Sequence, residues 1–163
     1  MRISENTKIL NLLPPVSHAT GFAGLSGIIN MKNYANAAIK IFTGATSTSD
    51  STVIVQALNG STSAGTPVAI PFKYRYCDGT DDVLGDYVQA TAAGFSMVAS
   101  KPNSFYVIEL KAQDLLSAGQ DYSYVRINAT AVTSNAQVVG VTAECYQARK
   151  SGLALDAVQS AST

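Results

Sequence analysis

The chain has 163 residues, which is enough for one domain with a substantial buried core. Charged residues make up only 13% of it, against about 25% in an average soluble domain, and 11 basic residues balance 11 acidic ones. A net charge of zero without a basic run lacks the electrostatic signature of a nucleic-acid binder. No stretch of about 18 apolar residues predicts a membrane-spanning helix, so neither nucleic acid nor membrane is an expected partner.

Residues 1–20 are predicted to form an extended N-terminal arm. Pro14 and Pro15 favour a polyproline-like segment, and leucines on an arm usually lie against a surface. The arm contacts either a neighbouring subunit, which we favour, or its own body as an added strand. The candidate interface residues are Ile9, Leu10, Leu12, Leu13, Pro14 and Pro15.

The same N-terminus makes a poor signal peptide. Glu5 lies in what would be the basic region, and the short apolar part ends at Pro14. We therefore expect synthesis in a cytoplasm.

Residues 21–148 are predicted to form the folded domain, with strands separated by loops rich in Gly, Ser, Thr and Asp. Ala37, Ile39 and Ile41 alternate with polar residues, and Pro71 indicates an edge or a bulge in its strand. Residues 112–119 could hold one helical turn, and residues 149–163 are a small, polar C-terminal tail. The predicted strands span residues 25–31, 37–43, 52–58, 68–76, 87–91, 94–99, 104–110, 122–130 and 136–146.

This pattern predicts an all-β fold, an antiparallel β-sandwich or jelly roll of seven to nine strands. Its two cysteines are expected to be free thiols. Alternation places Cys145 on the inward row of the last strand, whereas Cys77 has the opposite parity from Phe72, Tyr74 and Tyr76.

Few residues suggest catalysis, and we expect neither an enzyme nor a bound cofactor. The only histidine, His18, lies in the arm, where a catalytic triad could not hold it rigidly. Glu109 and Glu144 lie inside strands on outward rows, and nothing in the sequence makes them converge as a glycosidase pair would.

The acidic turn after residue 77 is the one candidate metal site. Carboxylates on a turn can bind Ca²⁺, although the spacing is not that of an EF-hand. The preferred interpretation is a hairpin connection whose acids pair with Lys73 and Arg75. The candidate metal ligands are Asp78, Asp81 and Asp82.

Tyr122 and Tyr124, with Tyr87 and Phe105, could form a platform on which sugars stack. Aromatic residues in strands more often pack as cross-strand pairs, and we favour packing.

Four stretches of the chain carry a resemblance to known proteins: SGIINMKNYANAAIKIFTG, IPFKYRYCDG, GFSMVASKPNSFYVIELKAQDL and SYVRINATAVTSNAQVVGVTAE. They resemble a group of small virion proteins of tailed bacteriophages, over residues 24–148. The resemblance implies a decoration (cement) protein that binds the outer surface of the capsid and stabilises it. It also implies the major capsid protein as a partner and assembly in the host cytoplasm. A low-charge sandwich with an apolar arm is in addition expected to form a homotrimer around a capsid three-fold axis.

Two other functions remain open. The chain could be a different virion component, such as a head-tail, collar or tail protein. It could also be a receptor-binding or carbohydrate-binding β-sandwich module.

Overall fold

The computed structural model describes residues 7–18, 27–44, 50–61, 66–80, 83–98, 100–130, 137–148 and 158–159. The described residues form twelve strands and a short 3₁₀ helix, Ala112–Ser117. The strands are β1 (Thr7–His18), β2 (Ile28–Asn30), β3 (Tyr34–Thr43), β4 (Ser51–Leu58), β5 (Val68–Ala69), β6 (Phe72–Cys77), β7 (Val88–Ala90), β8 (Phe95–Met97), β9 (Phe105–Lys111), β10 (Tyr124–Ala129), β11 (Gln137–Ala148) and β12 (Val158–Gln159).

The strands form two antiparallel sheets that pack face to face, so the predicted all-β sandwich is confirmed. Sheet A has the order β1-β11-β3-β9-β6-β7, and sheet B has the order β12-β2-β10-β4-β5, with β8 also paired to β4. The core lies between the sheets, because alternate residues of each strand point inward. Ile39 and Ile108 of sheet A and Val55 and Ile127 of sheet B are fully buried there.

The predicted number of strands was too low. Three strands account for the difference: β1 lies in the predicted arm, β12 lies in the predicted tail, and the single strand predicted over residues 68–76 is divided into β5 and β6. The strands β5 and β12 have only two residues each, too few to show an alternation that separates them from a loop. The described residues contain no helix long and apolar enough to cross a membrane.

Pro71 marks a change of sheet. Residues 68–76 were predicted as one strand, but β5 pairs with β4 in sheet B and β6 pairs with β9 in sheet A. The chain crosses between the sheets at Ile70 and Pro71. Pro71 cannot donate a backbone hydrogen bond to a ladder, and at this crossing it interrupts none.

The arm hypothesis was wrong for the three leucines. Residues 7–18 form β1, which pairs with β11 at the edge of sheet A. The side chains of Leu10, Leu12 and Leu13 are buried in the chain's own core. The other three interface candidates, Ile9, Pro14 and Pro15, remain exposed.

Aromatic residues fill one end of the core. Tyr74 of β6 stacks on Phe95 of β8, with 4.2 Å between the ring centroids. Phe95 also lies 5.1 Å from Tyr106 of β9. These contacts join the two sheets, because β6 and β9 belong to sheet A and β8 pairs with β4 in sheet B.

The predicted helical turn is the 3₁₀ helix after β9. Leu115 anchors it in the core, and the carboxylate of Asp114 accepts a hydrogen bond from the backbone N–H of Lys111 at 2.8 Å. This bond caps the start of the helix. The helix is thereby fixed against the end of sheet A, where it forms one wall of a groove described below.

Candidate functional site on the outer face of sheet A

Sheet A turns one row of each strand away from the core, and these rows form its outer face. The register aligns Phe42, Lys40, Ala38 and Asn36 of β3 with neighbours on β11 and β9. Along the strands, the face changes from apolar to charged to polar. The outward residues next to β3 are Val138, Gly140, Thr142, Glu144 and Tyr146 on β11, and Phe105, Val107, Glu109 and Lys111 on β9.

The apolar end contains an open depression of about 590 Å³, the apolar slot, lined by Pro15, Phe42, Val138 and Gly140 among others. Phe42 is 47% exposed and Val138 is 44% exposed. The ring of Phe42 stacks on that of Phe105 with 4.6 Å between centroids. Gly140 forms the floor, where a Cβ would lie 3.3 Å from Cγ of Pro15. The slot is therefore shaped to receive an apolar side chain.

The middle of the face carries two ion pairs. Lys40 pairs with Glu144, and Arg75 lies 3.9 Å from a carboxylate oxygen of Glu109. The hydroxyl of Tyr87 donates a hydrogen bond of 2.7 Å to Glu109, which raises the pKa of that tyrosine. Both glutamates were predicted to point outward, and both do. Each carboxylate thus has a partner from the same chain.

The polar end contains a groove made of two adjoining depressions of about 480 and 540 Å³. Both depressions are lined by Asn36, Lys111, Gln113 and Tyr146, and we call their union the polar groove. Lys73, Gln89, Glu109, Asp114 and Ser117 line the first depression, and Ala35 and Gln147 line the second. This groove could not be predicted from the sequence, since its walls come from β3, β6, β7, β9, β11 and the 3₁₀ helix.

Of the three candidate metal ligands in the acidic turn, only Asp78 lies in the part of the chain that the structure describes. Asp78 accepts hydrogen bonds from Thr80 and forms an ion pair of 3.1 Å with Lys101. These hydrogen bonds lower the pKa of Asp78 to about 2. Asp81 and Asp82 lie outside the described residues, and no group of three potential ligands occurs among the rest.

For Asp78, the predicted partners were wrong. Lys101, from the turn before β9, takes the place expected for Lys73 or Arg75, and Arg75 instead faces Glu109. Lys101 is distant in the sequence, so only the tertiary structure brings it to Asp78.

The four aromatic residues proposed as a sugar platform do not share a surface. Tyr124 lies on sheet B, where the ammonium of Lys32 sits 5.1 Å from its ring centroid, and Tyr122 packs against the core. Phe105 projects from the outer face of sheet A, and Tyr87 precedes β7 at the edge of that sheet. The packing interpretation favoured from the sequence therefore holds for Tyr122 and Phe105.

The two cysteines are free thiols, as predicted, and they differ in accessibility. Cys145 is buried, and desolvation raises the pKa of its thiol to about 12. We expect a thiol reagent such as Ellman's reagent at pH 8 to modify half-exposed Cys77 and to leave Cys145 unmodified until the protein is denatured. About one Cys145 thiol in ten thousand would be ionised at that pH, and burial blocks access as well. Rapid native reaction of both thiols, quantified by absorbance, would contradict this assignment.

Comparison of the chain with protein-family models and with curated proteins gives no match. The backbone of His18, the histidine considered for catalysis, ends β1 at the edge of sheet A.

The strongest candidate for function is the outer face of sheet A, with the apolar slot at one end and the polar groove at the other.

Proposed function

We propose that this protein is a decoration (cement) protein that binds the outer surface of a tailed-bacteriophage capsid and stabilises it. The resemblance of residues 24–148 to small virion proteins supports the proposal. So does the composition, since a chain with only 13% charged residues can bury part of its surface against a partner with little desolvation of charge.

The observation that carries the proposal is the apolar slot. An exposed apolar depression next to a long strand marks a surface for contact with another protein. Complete burial of one apolar side chain is worth about 1.5–3 kcal/mol. Phe42 and Val138 are each about half exposed, so covering both would contribute about 1.5–3 kcal/mol per copy. Such a modest energy suits a protein that attaches in many copies to a repeating surface.

The partners follow from the same proposal. The slot binds the major capsid protein, and the protein associates with itself as a trimer around a capsid three-fold axis. It assembles in the host cytoplasm and resides on the virion surface. Another place on the virion, such as a collar or tail, would use the same slot, and cryo-electron microscopy of the particle distinguishes these positions.

Replacing both Phe42 and Val138 with serine should weaken capsid binding about ten- to a hundredfold, because about 1.5–3 kcal/mol of apolar contact is lost. The measurement is co-sedimentation with capsids purified from a phage that lacks the protein. Val83→Ser is the matched control, since Val83 is 75% exposed and lies outside the slot. Wild-type protein that does not bind these capsids would refute the proposed function. Equal binding by wild type and the double variant would refute the role of the slot.

A further inference from the structure

The polar groove has the shape of a binding site for an extended ligand. Its two depressions share four lining residues, so they form one continuous channel across the end of sheet A. The channel is open to solvent along its length, as a chain-like ligand requires. The 3₁₀ helix, fixed by buried Leu115, provides a rigid wall on one side.

The groups in the groove combine donors and acceptors with nearly balanced charge. Lys73 and Lys111 are cationic, and Glu109 and Asp114 are anionic. The side-chain amide of Gln113 can both donate and accept. The amide of Asn36 already donates to Gln147 and that of Gln89 to the backbone carbonyls of Phe72 and Ala90, while their own carbonyl oxygens can accept. A groove of this composition favours neither an anion nor a cation. It suits a neutral ligand that is itself rich in donors and acceptors.

Several of these groups have hydrogen-bonding capacity left over. Among the described residues, the amide of Gln113, the hydroxyl of Tyr146 and the ammonium of Lys73 have no hydrogen-bond partner. Burial raises the pKa of the Tyr146 hydroxyl, and the nearby charges of Glu109 and Glu144 raise it further. Its ring adds an apolar surface beside these polar groups.

The backbone beside the groove is strained. Gln147, next to Tyr146, has a φ of 56°, a left-handed conformation that residues with a side chain rarely adopt. Its side-chain carbonyl accepts a hydrogen bond from the amide of Asn36, another groove residue. Strained residues that persist in a fold often support a functional surface. Here the strained residue fixes the orientation of a groove amide.

We propose that the polar groove binds a neutral oligosaccharide. Sugar hydroxyls both donate and accept, which matches the mixed amides, ammonium and carboxylates, and the apolar faces of sugar rings can pack on Tyr146. The groove and the apolar slot lie at opposite ends of β11. Val138 and Tyr146 are eight residues apart, or about 27 Å along a strand. The groove and the slot share no lining residue, and this inference does not depend on the proposed capsid function.

The test uses the full-length protein and immobilised oligosaccharides on an array that includes neutral and acidic glycans, followed by saturation-transfer NMR with each glycan that binds. We expect binding to at least one neutral oligosaccharide. Gln113→Ala and Tyr146→Phe should each weaken it at least fivefold, because each removes a group that faces the groove without replacing it. Gln120→Ala is the matched control for the first variant, since Gln120 is an exposed glutamine just beyond the helix.

Three outcomes would overturn the inference. The first is the absence of binding to any neutral glycan on the array. The second is binding to acidic glycans alone that disappears at high salt, which would indicate an anion-binding site formed by the lysines. The third is binding that both groove variants retain at the wild-type level, which would place the glycan elsewhere. Thermal unfolding of each variant confirms that a loss of binding is not a loss of fold.

Discussion

Deletion of residues 1–18 is expected to unfold the domain. The deletion removes β1 and with it Leu10, Leu12 and Leu13, which are buried in the core. At about 1.5–3 kcal/mol for each leucine, the lost burial amounts to about 4.5–9 kcal/mol. The total stability of a natural domain is about 5–15 kcal/mol, so this loss, together with the backbone hydrogen bonds of β1, is comparable to the whole stability of a typical domain. Far-ultraviolet circular dichroism and thermal unfolding of the purified truncation measure this directly.

The control is deletion of residues 1–6 alone. This shorter truncation leaves every described contact of β1 intact, so its melting temperature should match that of the full-length protein. If the longer truncation instead keeps its fold and melting temperature, β1 does not belong to the core of its own chain. The intermolecular arm would then be correct after all.

The sequence could not reveal β1 because two irregularities interrupt its alternation. The pairing of β1 with β11 shifts register between Asn11 and Leu13 and again between Leu13 and Val16. Such bulges allow the adjacent residues Leu12 and Leu13 both to face the core, which a regular strand forbids. Pro14 and Pro15 lie inside the second irregularity, where the missing backbone donors matter least. The two prolines were therefore interpreted as part of an extended arm.

The regular central strands were predictable from alternation. The predicted strands 37–43 and 52–58 differ from β3 and β4 by only a few residues at one end. The inward position of Cys145 and the outward positions of Cys77, Glu109 and Glu144 followed from the same period of two. In such strands each residue faces either the core or solvent, so the local pattern carries the information.

The candidate site could not be predicted, because it depends on which strands are neighbours. Phe42 is an apolar residue on an outward row, and this was visible in the sequence. Its contact with Phe105 and its place beside Val138 require the pairing of β3 with both β9 and β11. The polar groove likewise joins Asn36, Gln113 and Tyr146 from three separate parts of the chain. A single sequence does not specify these long-range pairings.

Gly94 occupies a position that requires glycine, and a single substitution can test this requirement. It closes the turn between β7 and β8, where its N–H donates a hydrogen bond of 3.0 Å to the carbonyl of Thr91. Its φ is +86°, and a Cβ there would lie 2.0 Å from the carbonyl oxygen of Val53 in β4. That oxygen belongs to the backbone and cannot move without displacing β4, since Val53 is paired with Phe95.

We therefore expect Gly94→Ala to lower the free energy of unfolding by about 3 kcal/mol, of which the left-handed conformation alone accounts for about 1–2 kcal/mol. For a domain of this size, that corresponds to a decrease of about 6–12 °C in melting temperature. Gly60→Ala is the matched control, because Gly60 has no atom within 4 Å of its Cβ position and should change stability by less than about 0.5 kcal/mol. Calorimetry of both variants measures their melting temperatures and unfolding enthalpies. If Gly94→Ala has the same melting temperature as the control, β8 is not held against β4 as tightly as the pairing of Val53 with Phe95 requires. The link that β7 and β8 make between the two sheets would then be wrong.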